Sequence, residues 1–304
     1  MAQKLRFDGR VVVITGGGSG LGREYALEFA KRGAKILLND LGGSVTGVGN
    51  SNRSADLTVK ELKLLGAEAI ANYDTVSEGE KIIEAAISAF GRVDVVVNNA
   101  GILKEVFFHK ITTDEWDQTL KVHLKGSFSV CRAAWPYMRA QQYGRIINTS
   151  SGTGLYGNVA QSNYTTAKLG IYGLTQTLSI EGAKYNILVN SIAPMAASRL
   201  TQGTFSPELV ELLIPEKITP LVAFLAHEAC TTTGGLYEVA GGWIAKLRWQ
   251  RANGLYLPEG LTAENLKKRW NRVGKFDKTS EYPMRVIETL QKAVTLIHQV
   301  KPKI

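Results

Sequence analysis

The octapeptide Thr15-Gly-Gly-Gly-Ser-Gly-Leu-Gly22 constrains this chain more than any other feature, because of what flanks it. Before it runs the short apolar, β-branched segment Val11–Thr15, and after it the amphipathic segment Gly22–Arg32. A strand that turns through glycines straight into a helix leaves the helix's first N–H groups free. It also lets an anion approach the backbone closely. The reading is of a phosphate cradle at Gly16, Ser19, Gly20, Leu21 and Gly22, where a glycine cluster out of that context is only a flexible loop.

The rest of the sequence extends that unit. Val11–Thr15, Ile36–Asn39, Val93–Val97, Ile146–Thr149 and Ile187–Ile192 are short apolar runs without polar alternation, as strands covered on both faces read. Between them lie the amphipathic stretches Gly22–Arg32, Ser54–Leu65, Ser77–Phe90, Thr113–Ala140 and Gln161–Tyr185. Repeated strand–helix order predicts an α/β fold with a doubly wound parallel sheet of Rossmann type over residues 1–242. Residues 243–304 break the rhythm and hold Trp243, Trp249 and Trp270 among many cations. They are expected to form a helical or irregular C-terminal extension packed on the same domain.

Candidate site residues fall at the ends of these strands. Asp40 follows the second strand, and a carboxylate there accepts both hydroxyls of an adenosine ribose and repels a 2′-phosphate. Ser19 puts no cation in the glycine turn to meet such a phosphate, so NAD is the expected cofactor. The competing reading of Asp40 is a cap on the turn toward Gly42-Gly43. Asp74 after the third strand, and Asn98, Ala100 and Gly101 after the fourth, sit where the sheet edge meets a cofactor, and they also suit turns. Ser151 ends the fifth strand, while Tyr164 and Lys168 are four apart in the following helical run and share a helix face. A tyrosine titrates near pH 10, so to act as a base at neutral pH it needs its phenolate stabilised. Lys168, aided by an oxidised nicotinamide, is expected to lower that pKa and to hold the nicotinamide ribose, and Ser151 to position a substrate oxygen. Catalysis is therefore assigned to Ser151, Tyr164 and Lys168.

Thr15-Gly-x-x-x-Gly-x-Gly22, Asn98-Asn-Ala-Gly101, Ser151, Tyr164-x-x-x-Lys168 and Asn190-x-Ile-x-Pro194 together resemble the short-chain dehydrogenase/reductase family in order and spacing, from residue 9 to about 242. Arg6-Phe-Asp-Gly-Arg-Val, Asn39-Asp-Leu-Gly-Gly, Val122-His-Leu-Lys-Gly and Gly241-Gly-Trp-Ile-Ala-Lys-Leu-Arg-Trp further resemble the dehydrogenase unit of the peroxisomal multifunctional enzymes of type 2. That resemblance implies NAD-dependent oxidation of (3R)-3-hydroxyacyl-CoA to 3-ketoacyl-CoA in β-oxidation, by a homodimer paired with a 2-enoyl-CoA hydratase. Many members of the wider family carry Asn where His123 stands, and His123 reads either as part of a proton relay or as a packed, hydrogen-bonded histidine. Pro194-Met195 replaces the usual Pro-Gly after the sixth strand. The catalytic set does not choose among alcohols, so a hydroxysteroid or other secondary alcohol is the alternative substrate. A non-catalytic binding protein on the same scaffold is the alternative of another class, and it has no physical need for a paired phenol and ammonium.

Bulk properties narrow the partners. The net charge of +9 suits either nucleic acid or a phosphate-bearing substrate. Basic residues are spread along the chain apart from a patch at Lys267, Lys268, Arg269, Arg272, Lys275 and Lys278, so no nucleic-acid partner is expected. Two cysteines and four histidines lack metal-ligand spacing, and no metal is expected. No stretch approaches the 18 or so apolar residues of a membrane span, and a soluble protein is expected. Pro302-Lys303-Ile304 loosely resembles the small–basic–aliphatic peroxisomal address. With the family, it sets the expected location as the peroxisome, and otherwise the cytoplasm.

Overall fold

The computed structural model describes residues 4–201, 203 and 205–300, so Pro302-Lys303-Ile304 lies outside the described residues. Chain contacts divide it into two units, Met1–Lys246 and Leu247–Ile304. The first is built on β1 (Val11–Thr15), β2 (Lys35–Asn39), β3 (Ala69–Asn72), β4 (Val95–Asn98), β5 (Gly144–Thr149), β6 (Ile187–Met195), β7 (Leu236–Ala240) and β8 (Trp243–Leu247). These form one sheet in the order β3-β2-β1-β4-β5-β6-β7-β8. Pairings from β3 across to β7 are all parallel. β8 returns beside β7 through Gly241-Gly242, whose φ angles of 55° and 102° only glycine adopts freely. The boundary expected at residue 242 thus moves: the segment 243–247 completes the sheet.

Helices alternate with the strands in chain order: α1 (Gly20–Ala30), α2 (Arg53–Leu64), α3 (Gly79–Phe90), α4 (Thr113–Leu120), α5 (Gly126–Gln141), α6 (Gly152–Tyr156), α7 (Ser162–Gly182), α8 (Pro207–Leu212) and α9 (Thr219–Ala226). Successive strand side chains point to opposite faces, which explains the unbroken apolar runs. Val12, Ile14, Ile36, Leu38 and Val97 join Tyr25 and Phe29 of α1, Leu62 of α2 and Leu225 of α9 in one core. Val11, Val13, Leu37 and Val96 join Ile82 and Ile83 of α3 and Val130 and Met138 of α5 in the other. Burying both faces is the driving force here, at about 1.5–3 kcal/mol per large apolar side chain.

β1 pairs with β2 on one side and β4 on the other, so the direction in which strands are added across the sheet reverses between β1 and β4. The carboxyl ends of those strands therefore flank the crevice where doubly wound sheets bind ligands.

The second unit contains α10 (Ala263–Val273), capped by the Thr262 hydroxyl, and α11 (Ile287–Val300). Glu281 ties it together by accepting from Arg251 and Lys292, while Arg248 stacks on the Tyr282 ring at 3.5 Å. Among the described residues, no helix is long and apolar enough to cross a membrane.

Candidate active site

The glycine turn is shaped by close approaches. Gly16 has φ of 63°, and a Cβ there would lie 2.7 Å from Ala100 Cα in the loop after β4. A Cβ on Gly22 would meet the Gly16 carbonyl oxygen at 2.1 Å, so this glycine lets α1 pack against its own turn. Ser19 stands at the N-cap of α1 without a side-chain capping bond. The orphan N–H groups of the first turn thus keep their donors for an anion. A crevice of about 300 Å³ opens here, lined by Gly16, Ser19, Gly20, Leu21, Asp40, Asp74, Ala100 and Gly101 of the expected residues. Gly22 supports it from below. The cradle, the uncapped helix and the carboxylate at one end fit a nicotinamide dinucleotide.

Asp40 caps the turn toward Gly42 and also lines the crevice. Its Oδ1 accepts from the Gly42 N–H at 2.7 Å, capping the turn, and its Oδ2 accepts from the Gly18 N–H at 2.8 Å, fastening β2 to the cradle. Each oxygen keeps a further lone pair for a ligand. Asp74 accepts from Asn72 Nδ2 at 2.8 Å, and Asn39 Nδ2 in turn donates to Asn72 Oδ1 and to the Asp74 carbonyl. This buried amide chain holds the ends of β2 and β3 in register. The side chain of Asn98 turns away from the crevice, where its Nδ2 donates to Asn148 Oδ1 at 2.8 Å under the sheet edge. Asn99 lines the crevice instead and donates to the carbonyls of Thr15 and Gly16. The turn is also not free of cations, as the residue at position 19 had suggested. Arg199, from the loop after β6, donates to Ser19 Oγ at 2.7 Å. No local motif marks this contact, because it joins residues 180 positions apart.

At the ends of β5 and β6 the catalytic candidates come together. Ser151 caps α6, accepting from the Thr153 N–H, and its hydroxyl is near enough to the Tyr164 hydroxyl to favour the phenolate. Lys168 is buried, donates to the Thr149 carbonyl at 2.7 Å and stands 5.5 Å from the Tyr164 ring centre. Asn163, which sequence reasoning passed over, fixes the start of α7: its Oδ1 accepts from the Tyr164 N–H, and its Nδ2 donates to Thr119 Oγ1 on α4. Its signal was faint, a single Asn beside the tyrosine. Electrostatics depart from expectation. Burial pushes the Tyr164 phenol up to about 12, partly opposed by the Ser151 hydrogen bond, and pushes the Lys168 ammonium down to about 7. Desolvation disfavours both charged forms and outweighs their mutual attraction in the free protein. Tyr164 therefore holds its proton until a bound ligand adds positive charge.

His123 links this trio to the crevice. Residues Lys121–Lys125 form a single wide π turn between α4 and α5, and such insertions often accompany functional sites. The turn places the buried imidazole edge-on to the Tyr164 ring, with centres 5.1 Å apart. It also lies beneath Gly101, where a Cβ would sit 2.5 Å from the ring. Nε2 lies 2.7 Å from the Ile102 carbonyl oxygen and 3.1 Å from the Ile102 amide nitrogen, while Nδ1 is buried without a hydrogen-bond partner. Burial, with the Lys168 charge nearby, lowers this histidine from 6.5 to about 3. Between those pH values the unfolded chain binds a proton that the folded chain does not, so acid favours unfolding by up to ~1.4 kcal/mol per pH unit. His123→Asn is expected to lose less melting temperature between pH 6 and pH 4 than the parent. Equal losses in the two proteins would show that His123 is already protonated in the fold.

Comparison with known proteins agrees with this arrangement. The family model of the short chain dehydrogenases matches residues 10–206. The peroxisomal hydratase-dehydrogenase-epimerase of Neurospora crassa is 52% identical over 286 residues, 93% of this chain and 32% of that protein. Peroxisomal multifunctional enzyme type 2 of Mus musculus is 50% identical over 303 residues, 99% of this chain and 41% of that protein. The structure of full-length peroxisomal multifunctional enzyme type 2 from Drosophila melanogaster superposes with a TM-score of 0.85 at 40% identity, covering 98% of this chain and 51% of that one. The chain thus spans between a third and a half of the length of these relatives. With the fold, the glycine cradle and the family match in agreement, the chain belongs to the short chain dehydrogenase family.

Proposed function

We propose that this chain is an NAD-dependent (3R)-3-hydroxyacyl-CoA dehydrogenase, with Ser151, Tyr164 and Lys168 as its catalytic residues. The observation that carries the chemistry is buried Lys168, 5.5 Å from the Tyr164 ring centre and anchored on the Thr149 carbonyl beside Ser151. Ser151 Oγ orients the substrate hydroxyl, and the Tyr164 oxygen receives its proton as the C3 carbonyl forms. Lys168, anchored on the Thr149 carbonyl, holds the phenol's charge and the cofactor ribose within reach. The dinucleotide, when bound, supplies the acceptor for the hydride leaving C3.

What supports the substrate is the similarity to the multifunctional enzymes, which extends across both units. The name of the Neurospora relative joins a hydratase to a dehydrogenase in one chain, and hydration of a 2-enoyl-CoA yields a 3-hydroxyacyl-CoA. The same relatives, named peroxisomal, support a peroxisomal location. An apolar exposed face of Phe128 on α5 with Leu169 and Ile180 on α7 supports a homodimer. NADH absorbance with 3R- and 3S-hydroxyacyl-CoA of graded length, a hydroxysteroid and no substrate tests the reading. Turnover of the 3R series is expected, and turnover of the steroid alone would replace this substrate class. Fusing residues 290–304 to a fluorescent protein tests the tail, and diffuse cytosolic signal would mean it is no address.

A further inference from the structure

The segment between β2 and α2 is longer than a tight strand-to-helix turn requires, and it crosses the crevice. Its base is pinned where the Ser51 N–H donates to the Leu41 carbonyl and the Gly42 N–H to Asp40. From there Gly43, Ser44, Val45 and Gly47 form one wall of the crevice. Its tip is a closed turn: the Ser44 N–H donates to the Val48 carbonyl, and the Val48 N–H donates back to Ser44 Oγ. Two bonds fasten this tip to the opposite wall. The Leu103 N–H, beyond β4, donates to the Val45 carbonyl at 2.9 Å, and Gln118 Nε2 of α4 donates to the Gly47 carbonyl at 3.2 Å. Gly47 is required at that spot. Its φ is 83°, and a Cβ would press on Gln118 Nε2 at 2.9 Å and Ile102 Cδ1 at 3.2 Å.

We propose that residues 41–51 are a clasp that closes over the adenosine end of the dinucleotide and must lift for it to leave, with Gln118 as the latch. This rests on the cofactor reading above. Both ends of the clasp are covalently held, and its tip is bonded to the far wall. A dinucleotide seated on Gly16, Gly20 and Leu21 therefore lies beneath a bridge. Two hydrogen bonds attach the tip, one from the Leu103 N–H and one from the Gln118 side chain, and Val48 beside it is 69% exposed. Glycines at 42, 47 and 49, all with positive φ, supply the backbone freedom such a movement needs. Gln118 bonds the clasp and lines the crevice and is not one of the reacting groups, so it acts on retention and not on chemistry.

The test is the NADH dissociation rate, followed by stopped-flow fluorescence when the NADH-loaded full chain is mixed with excess NAD, with no substrate present. Gln118→Ala is expected to speed dissociation about twofold to tenfold, the worth of one hydrogen bond. A variant with residues 44–48 replaced by two glycines should speed it more than tenfold. Circular dichroism of each variant shows that the sheet is intact. Dissociation as slow as the parent's from the shortened variant overturns the clasp. Failure of the parent to bind NADH at all overturns the cofactor reading and the clasp with it, so the two failures are told apart.

Discussion

Tyr164→Phe should lower kcat for a 3-hydroxyacyl-CoA by about 10²- to 10⁴-fold, the range for loss of a general acid–base group, and change NADH affinity by less than about threefold. The substitution removes one oxygen from a buried ring whose packing is otherwise retained. The His123 contact and the Lys168 neighbour both involve the ring face and edge, which phenylalanine keeps. Ser151 keeps its bond from the Thr153 N–H, so α6 remains capped. The crevice residues that hold the dinucleotide lie beyond His123 and are untouched. The parent's rate should rise with pH, because the phenol has its proton in the free protein at about 12 and a higher pH favours the basic form. That rise should vanish in the variant. A variant retaining more than about a tenth of the parent rate would move the proton transfer to another group. Nδ1 of His123 would be the first to examine, as a buried ring nitrogen with no hydrogen-bond partner.

The fold was legible because its signals are local and repeated. Each apolar run is short and β-branched, each is followed by an amphipathic stretch, and two-sided burial is the physical reason. What escaped depended on position in space. The long amphipathic stretch 113–140 breaks at a π turn around His123, since one extra residue in a helix leaves no mark in hydrophobic spacing. The strand at 243–247 was hidden because it is largely exposed and rich in Trp and Lys, unlike the inner strands. In the site, motifs marked the glycine turn, Asp40 and Ser151, Tyr164 and Lys168, which the fold brings to one edge of the sheet. They did not distinguish Asn98, whose side chain bonds Asn148, from its neighbour Asn99, which lines the crevice, because alternate strand residues face opposite ways at the very end of β4. Arg199 and the clasp were invisible for a different reason. Both act across the crevice from distant loops, and loop-to-loop contacts have no period. The pKa directions of the free protein were not legible because sequence shows the partners of a charge but not the depth at which they are buried.

Cofactor choice should favour NAD over NADP by about 10- to 150-fold in kcat/KM, the worth of about 1.5–3 kcal/mol for a charged hydrogen bond. The argument rests on Asp40 alone, since Arg199 stands at Ser19 and prevents the turn from counting as cation-free. Both Asp40 oxygens are already oriented by backbone N–H groups, so the carboxylate is fixed where the adenosine ribose must lie. A 2′-phosphate would bring a second anion against it with no room for the side chain to swing away. Two substitutions separate charge from structure. Asp40→Asn keeps the shape and one acceptor while removing the charge, and should narrow the preference to within about tenfold at the cost of one of the two backbone N–H bonds. Asp40→Ala also strands the Gly18 and Gly42 N–H groups, so it should lose stability as well as selectivity. Arg199 supplies the last arm of the test. If its guanidinium meets the 2′-phosphate once the carboxylate charge is gone, Arg199→Ala in the Asp40→Asn background should restore the preference for NAD. Equal use of both cofactors by the unmodified protein would mean that the Arg199 cation already outweighs the Asp40 anion, and the assignment to NAD would be lost.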